Sequence, residues 1–232
     1  MIAYEKFRKK SCMIFCKWPR KIDNIIFFDF DETIRPFAIE DRNRTAIKEL
    51  EMMLHKISSE FNTIFGWISG SNFSSLIEKS NDYISLYPHF IGSSLGSELV
   101  FSKNDSYNAS IGWDHHIKQS GFRLDQVDDF VRRAGMEGFN LTPQDDAYQG
   151  RHKRSYYFYE APSAANHLTA LGLVNCNTES NLSVFVTRCN PAAGDPEGAY
   201  DVDLLPSCAS KGKQCKFITK LFSTDRRNTI AF

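Results

Sequence analysis

The first hundred positions of the chain alternate between short apolar segments and longer segments in which apolar residues recur every three or four positions. The segments "NIIFFDF" (24–30), "TIFGWIS" (63–69) and "HFIGSS" (89–94) are typical of strands buried inside a sheet. Residues 43–61 and "SSLIEKS" (74–80) have the spacing of amphipathic helices. Strands that alternate with helices predict βαβ units, and hence a parallel α/β sheet with helices on its faces.

The pattern changes after Leu99, where the chain becomes more polar and richer in aromatic residues. Two predicted helices and two predicted strands follow, so we expect an α+β domain inserted into the first. "AYDVDLLP" (199–206) predicts a return to the first sheet, before a helix and a last strand, "NTIAF" (228–232). The expected organisation is an N-terminal extension (1–22), a Rossmann-like core (23–100 and 198–232) and the inserted domain (101–197).

The composition of the chain argues against several classes of function. Lys+Arg and Asp+Glu balance at 28 each, which argues against a nucleic-acid or anionic-membrane surface. No apolar run approaches the roughly 20 residues that a membrane span needs. The six cysteines lack zinc-ligand spacing, which favours free thiols in a reducing cytosol. We therefore expect a cytoplasmic, enzyme-sized protein that is a monomer or a homodimer.

The first strand leads directly into two carboxylates, Asp29 and Asp31, with Thr33 two positions later. Ligands bind beyond the carboxyl ends of strands in open parallel sheets, so both carboxylates are expected in one crevice. Two hard oxygen donors suit Mg2+, and a carboxylate beside a phosphoryl group can act as a nucleophile. The alternative is a pair of aspartates that only cap a turn.

The pattern hhhhDxDxT after a buried strand resembles the haloacid dehalogenase superfamily of phosphatases. The resemblance implies that Asp29 is the nucleophile and Asp31 the general acid and base. Mg2+ would bind the Asp29 side chain and the Asp31 backbone carbonyl, and Thr33 would hold the loop in shape. In "WISGS" the resemblance assigns Ser69, followed by Gly70, to the phosphoryl oxygens.

The third motif of the sucrose-phosphatase-like branch is similar to "DLLPSCASKGKQ" (203–214). The resemblance implies that its lysine is Lys211, which would neutralise Asp29 and the phosphate. Lys213 is a nearby competitor, and either lysine could instead be a solvated surface residue.

The insert lies where this branch carries its C2-type cap, which recognises sugar phosphates. "LTPQDDAYQGRHKRSYYFY" (141–159) is similar to the cap segment of the branch, and "TRCNPAAGDPEGAYDVDLLP" (187–206) is similar to phosphatases of amino-sugar phosphates. The second segment could instead be only a tight connection. The residues that this resemblance assigns to the sugar are His152, Lys153, Ser155, Arg188, Asn190 and Asp195.

The resemblance thus predicts a Mg2+-dependent phosphatase of a sugar or amino-sugar phosphate that works through an aspartyl-phosphate. A phosphatase of another sugar phosphate, such as sucrose or trehalose phosphate, is the alternative substrate class. The family's fourth motif, G-D-x-x-x-D, would begin just after Phe232. The chain is therefore expected to be either a fragment or a variant that lacks this loop, and in both cases to bind Mg2+ weakly and to turn over slowly or not at all. A catalytically inactive protein that binds sugar phosphates is the remaining alternative.

Overall fold

A computed structural model describes residues 13–36, 40–177 and 181–232 of the chain. The strands are β1 (Ile14–Phe15), β2 (Asn24–Asp29), β3 (Thr63–Ile68), β4 (Leu86–Tyr87), β5 (Phe90–Ser93), β6 (Glu98–Lys103), β7 (Ser106–Ala109), β8 (Thr142–Pro143), β9 (Arg154–Phe158), β10 (Leu182–Arg188), β11 (Tyr200–Pro206) and β12 (Thr229–Ala231). The helices are α1 (Asp41–Glu60), α2 (Phe73–Ser80), α3 (Ile111–Gln119), α4 (Asp125–Met136), α5 (Pro162–Asn177) and α6 (Lys211–Leu221).

The chain divides into two compact units. The first contains the described residues up to Asp114 together with Lys211–Phe232, and the second is His115–Ser210. None of the described helices is long and apolar enough to cross a membrane.

The first unit is built on a six-stranded sheet of order β12-β2-β3-β5-β6-β7. The first four of these strands run parallel, whereas β6 and β7 are antiparallel additions. Asp29 pairs in register with Ile68, so the chain leaves both strands at the same edge of the sheet. The predicted parallel α/β core is confirmed, including the last strand.

Apolar residues that recur along α1 and α2 bury these helices against the central strands. Ile47 and Leu54 of α1 and Leu76 and Ile77 of α2 join one cluster with Phe65. The first turn of α1 is fixed by a capping box between Glu40 and Asn43, which satisfies backbone donors at the helix start. The apolar residues that recur every three or four positions in these helices are therefore the ones buried in the core, as predicted.

The second unit contains an antiparallel sheet of order β10-β11-β9-β8. Val202 and Leu204 point from β11 into a core that also contains Phe130 of α4 and Leu168 of α5. Because side chains alternate along a strand, Asp201 and Asp203 point to the opposite face. The predicted mixed α+β insert is confirmed as an architecture.

Two expectations about the boundaries of the insert are wrong. Residues 199–206 do not return to the first sheet, because β11 pairs with β9 and β10 in the second. The insert also does not begin at residue 101, since β6 and β7 extend the first sheet through Ala109. A strand with one polar and one apolar face fits either sheet, and only its long-range partners decide between them.

Gly66 makes close strand packing possible in the first sheet. It pairs with Phe90, and a Cβ at this position would overlap the Phe90 ring. That ring is fully buried and packs edge-on against Phe27 and Phe101, with ring centroids 5.5 and 6.3 Å away. The ring therefore has little room to move aside.

We predict that Gly66→Ala destabilises the first unit by about 1–3 kcal/mol through overpacking. Denaturant unfolding followed by tryptophan fluorescence is a suitable measurement, since Trp18, Trp67 and Trp113 all lie in this unit. Gly212→Ala is the matched control: Gly212 is exposed on α6 of the same unit, and no described atom outside its own helix backbone and its chain neighbours lies within 4 Å of the added Cβ. An unchanged midpoint for Gly66→Ala would contradict the prediction.

His89 is a fully buried imidazole in the first unit. The backbone N–H of Phe65 donates to its Nδ1 at 3.2 Å, and its Nε2 lies 3.3 Å from the carbonyl oxygen of Lys17. This pattern fits the neutral ring with its proton on Nε2. Burial lowers the pKa of His89 to about 4, from an ordinary value of 6.5.

We predict that stability falls as the pH drops from about 6.5 towards 4, because the unfolded chain then binds a proton that the folded chain does not. The contribution of His89 is fully present above pH 6.5, and its loss amounts to about 3 kcal/mol. Urea unfolding at pH 7.5, 6.0 and 5.0 measures this slope. His89→Asn, whose amide oxygen can still accept from Phe65, should flatten it, and the exposed-site control His55→Asn should not. Equal slopes for all three proteins would refute this account.

Candidate active site

The two aspartates leave β2 on a tight loop, residues 29–35. The backbone N–H of Ile34 and that of Arg35 both donate to the carbonyl oxygen of Phe30, at 3.0 and 2.8 Å. Glu32 adopts a positive φ of 61°, which reverses the chain. Phe30 and Ile34 are buried, so they anchor this loop while Asp29 and Asp31 project from it. Both carboxylates therefore lie at the carboxyl edge of the sheet, as the sequence predicted.

Asp29 is held by the first residue of α6. Lys211 Nζ donates to both carboxylate oxygens of Asp29, at 2.9 and 2.8 Å. The two side chains are 38% and 41% exposed, and ion pairs at such exposure contribute only about 0–1 kcal/mol of stability. Stability alone is therefore a weak reason for this pair, whereas a cation beside a carboxylate at the carboxyl edge of a parallel sheet suits the binding of an anionic ligand.

The start of α6 is fixed by Gln214. This side chain is fully buried and donates to the carbonyl oxygens of Gly96 and Glu98, at 3.2 and 2.8 Å. The anchor lies one turn from Lys211 and holds that lysine at the end of β2. Lys213 is exposed on the same helix, so the geometry favours Lys211 over its competitor.

Asp31 accepts hydrogen bonds from residues that follow β3 along the chain. Ser69 Oγ and Ser71 Oγ both donate to its Oδ2 at 3.2 Å, and Lys79 Nζ donates to its Oδ1 at 3.1 Å. Ser69 is fully buried. The structure thus brings Asp29, Asp31, Ser69 and Lys211 to one edge of the first sheet.

Thr33 and Gly70 flank this arrangement. Thr33 is exposed and lines a cavity of about 250 Å³ beside α1, together with Ile34 and Ile47. A Cβ added to Gly70 would come within 3.3 Å of Leu95 Cδ2, so a small residue fits best after Ser69. Thr33 is therefore an exposed residue of the loop that carries both aspartates. Gly70 allows the chain after Ser69 to pack closely against Leu95.

In the second unit, Lys153 and Ser155 meet at an aspartate that sequence reasoning did not single out. Lys153 Nζ and Ser155 Oγ both donate to Asp203 Oδ1, at 3.1 and 2.6 Å. The Lys153 and Asp203 side chains are only 6% and 17% exposed. The Lys153 ammonium is therefore committed to an internal ion pair in this structure.

Asn190 and Asp195 organise a turn after β10. Asn190 Oδ1 accepts from the backbone N–H of Ala192 at 3.1 Å, and Asp195 Oδ2 accepts from the backbone N–H of Asn190 at 3.0 Å. Arg188 ends β10 with an exposed side chain. His152 packs edge-on against Phe122, with ring centroids 6.5 Å apart. The turn after β10 is thus held in one conformation by the Asn190 and Asp195 side chains.

Cys189, Asp195 and Asp201 form an acidic cluster in the second unit, with ligand atoms within 4.8 Å of one another. Burial is the main cause that raises the pKa of the Cys189 thiol to about 12, and nearby Asp201 adds to it. Burial also raises the pKa of Asp201, although hydrogen bonds from Cys189 and Gln144 oppose the shift. A protonated thiol is a poor metal ligand, and its soft sulfur does not suit Mg2+.

Sequence reasoning missed Ser71, Lys79 and Asp203, which form hydrogen bonds with predicted site residues, and Asp201, which lies in the acidic cluster with Asp195. The serine lies two positions after Ser69, and this proximity was the one available signal. Lys79 lies in a predicted amphipathic helix, where a lysine usually marks the solvent face. The aspartates alternate with apolar residues in "AYDVDLLP", which indicates one polar strand face without indicating its partners.

The overall architecture is that of a haloacid dehalogenase-like hydrolase. A crystal structure of such a protein from Bacillus subtilis matches with a TM-score of 0.72 and 30% identity, and the match covers 96% of this chain and 79% of that one. The sucrose-phosphatase of Synechocystis, solved with sucrose and phosphate, shares the fold with a TM-score of 0.67 at 18% identity, over 90% of this chain and 75% of that one.

The chain belongs to the family described as "Sucrose-6F-phosphate phosphohydrolase", whose model matches residues 22–232. It is 33% identical over 212 residues to the kanosamine-6-phosphate phosphatase of Bacillus subtilis (strain 168), over 90% of this chain and 74% of that protein. An uncharacterized hydrolase of Staphylococcus aureus (strain N315) is 27% identical, over 90% of this chain and 78% of that protein. The predicted superfamily is confirmed, and the protein is a phosphoric monoester hydrolase.

We predict that Lys153→Met destabilises the second unit by about 2–4 kcal/mol, because it leaves the Asp203 carboxylate, which is only 17% exposed, without its cation. The double variant Lys153→Met/Asp203→Leu should recover most of this loss, since it removes both charges. Thermal unfolding followed by circular dichroism measures both changes. Lys118→Met, an exposed lysine of the same unit, is the control. A single variant as stable as the wild type would show that the pair does not stabilise the unit.

Proposed function

We propose that the protein is a Mg2+-dependent phosphatase of a sugar or amino-sugar phosphate that works through an aspartyl-phosphate at Asp29. The supporting observation is the bidentate contact between Lys211 Nζ and the Asp29 carboxylate, at 2.9 and 2.8 Å. It gives the attacking carboxylate a fixed direction at the open edge of a parallel sheet, where ligands bind. The same ammonium can neutralise an incoming phosphate.

The proposed reaction has two halves. In the first, an Asp29 oxygen attacks phosphorus, the phosphorus–sugar oxygen bond breaks, and the Asp31 carboxyl group gives its proton to the leaving oxygen. In the second, Asp31 takes a proton from water while the water oxygen attacks phosphorus. The Asp29–phosphorus bond then breaks, its electron pair returns to Asp29, and inorganic phosphate leaves. Asp31 is thereby protonated for the next cycle.

The remaining residues of the first unit would position the phosphoryl group. Ser69 and Gly70 lie beside Asp31 at the end of β3, and Thr33 belongs to the loop that holds both aspartates. A hydroxyl that now bonds to Asp31 could turn to a phosphoryl oxygen when substrate binds.

Asp29 and Asp31 fit a magnesium ion by their chemistry, because the Asp29 carboxylate and the Asp31 backbone carbonyl would both offer hard oxygens on one loop that is partly open to solvent. When bound, the ion supplies charge neutralisation for the phosphoryl group. The acidic cluster of the second unit is the poorer candidate, since it includes a protonated thiol.

The substrate class rests on the relatives. One relative is named for kanosamine-6-phosphate and the family for a sucrose phosphate, so a phosphorylated sugar is the shared chemistry. We propose that the second unit contributes sugar recognition through the residues assigned from the resemblance: His152, Lys153, Ser155, Arg188, Asn190 and Asp195. Asp195 has the charge to meet a sugar ammonium group. Lys153 would act while bound to Asp203, as a rigid donor rather than a free cation.

We predict that the protein releases inorganic phosphate from kanosamine-6-phosphate or glucose-6-phosphate in the presence of Mg2+, and that EDTA suppresses the release. Asp29→Asn should abolish turnover because the nucleophile is lost. Lys211→Met should lower kcat/KM by at least about a hundredfold, since a charged group at the reacting centre is removed. A phosphate-release assay with sugar phosphates measures these effects.

Lys213→Met is the matched control. Lys213 is an exposed lysine of the same helix and lies two positions after Lys211. It should keep kcat/KM within about threefold of the wild type. Tight binding of sugar phosphates without any release of phosphate would contradict the proposed enzyme and indicate a sugar-phosphate-binding protein. Equal losses for the two lysine variants would remove Lys211 from its proposed role.

A further inference from the structure

Lys79 is a second cation at the edge of the first sheet. Its Nζ donates to Asp31 Oδ1 at 3.1 Å and to Ser71 Oγ at 3.0 Å. The Lys79 and Asp31 side chains are 33% and 30% exposed, so the pair is partly screened by solvent. Such a pair contributes little to the free energy of unfolding. A role for Lys79 must therefore be argued from the geometry of its contacts.

The fold positions Lys79 through α2. The helix begins after Asn72, whose side chain accepts from the backbone N–H of Ser75 at 2.8 Å. Phe73, Leu76 and Ile77 bury the inner face of the helix. Side chains on a helix lean towards its N-terminus, so a long lysine in the last turn can reach back to the chain segment that precedes the helix.

The contacts assign a separate donor set to each Asp31 oxygen. Oδ1 accepts from Lys79, whereas Oδ2 accepts from the hydroxyls of Ser69 and Ser71. Ser71 also accepts from Lys79, so the lysine, the serine and the carboxylate form a closed triangle of hydrogen bonds. This triangle restricts rotation of the carboxylate plane, and it gives Asp31 a preferred direction as an acceptor.

We propose that Lys79 is a positioning residue that acts through Asp31 in the hydrolysis half of the reaction. This inference rests on the proposed function. In that half, water gives a proton to Asp31, its oxygen bonds to phosphorus, and the Asp29–phosphorus bond breaks. An acceptor with a fixed direction speeds this proton transfer, because the water must be aligned with phosphorus and with Asp31 at once. The first half depends less on Lys79 when the leaving group departs without a proton.

The test uses p-nitrophenyl phosphate, whose phenolate leaves without protonation. For Lys79→Met we expect kcat to fall about tenfold or more and KM to fall in parallel, with kcat/KM within about threefold of the wild type. Stopped-flow mixing should then show a burst of p-nitrophenolate that approaches one per chain, since the aspartyl-phosphate accumulates. Lys79→Arg, which keeps the cation, should restore most of kcat, and exposed Lys48→Met should behave as the wild type.

Two results would overturn the inference. One is a fall of kcat/KM as large as the fall of kcat, which would place Lys79 in substrate binding or in the first half. The other is an active Lys79→Met variant with unchanged kcat and no increase in the burst. A wild-type chain that forms neither p-nitrophenolate nor phosphate is a different outcome, since it removes the proposed function and this inference with it.

Discussion

The contact between the Lys211 ammonium and the Asp29 carboxylate joins residues 182 positions apart, and the candidate site depends on it. It requires that α6 begin at the carboxyl edge of the first sheet, close to the end of β2. The buried Gln214 amide makes this possible, because its hydrogen bonds to Gly96 and Glu98 fix the first turns of the helix. The Lys211 cation is thereby held on Asp29, the proposed nucleophile, by a helix whose first turn is anchored.

The two aspartates of the loop have different environments, which suits two different roles. Asp29 is bound at both oxygens by one lysine, whereas Asp31 divides its oxygens between a lysine and two serines. The first arrangement suits the proposed nucleophile, and the second suits the proposed general acid and base. In the second unit, the Lys153–Asp203 pair is largely buried, and it joins β11 to the residue that precedes β9.

Much of the site could be predicted from local sequence. A buried strand that ends in two carboxylates must deliver them to the edge of a parallel sheet, and a hydroxyl after the next strand must arrive at the same edge. The positions of Asp29, Asp31 and Ser69 follow from this rule, whereas the assignment of Ser69 to the phosphoryl oxygens needed the family resemblance. The choice of Lys211 needed the family resemblance, since Lys213 has the same chemistry two positions away. The contacts of Lys79 and Asp203 could not be predicted from local sequence, because their partners lie on other elements.

The sequence by itself determined the identity and order of most elements, since the period of apolar residues records which face of each helix or strand is buried. It also determined which carboxylates end the first strand. Only the tertiary structure decided that β11 joins the second sheet and that β6 and β7 extend the first. The physical reason is that strand pairing is a contact between distant segments, and an alternating strand offers the same backbone hydrogen bonds to either sheet.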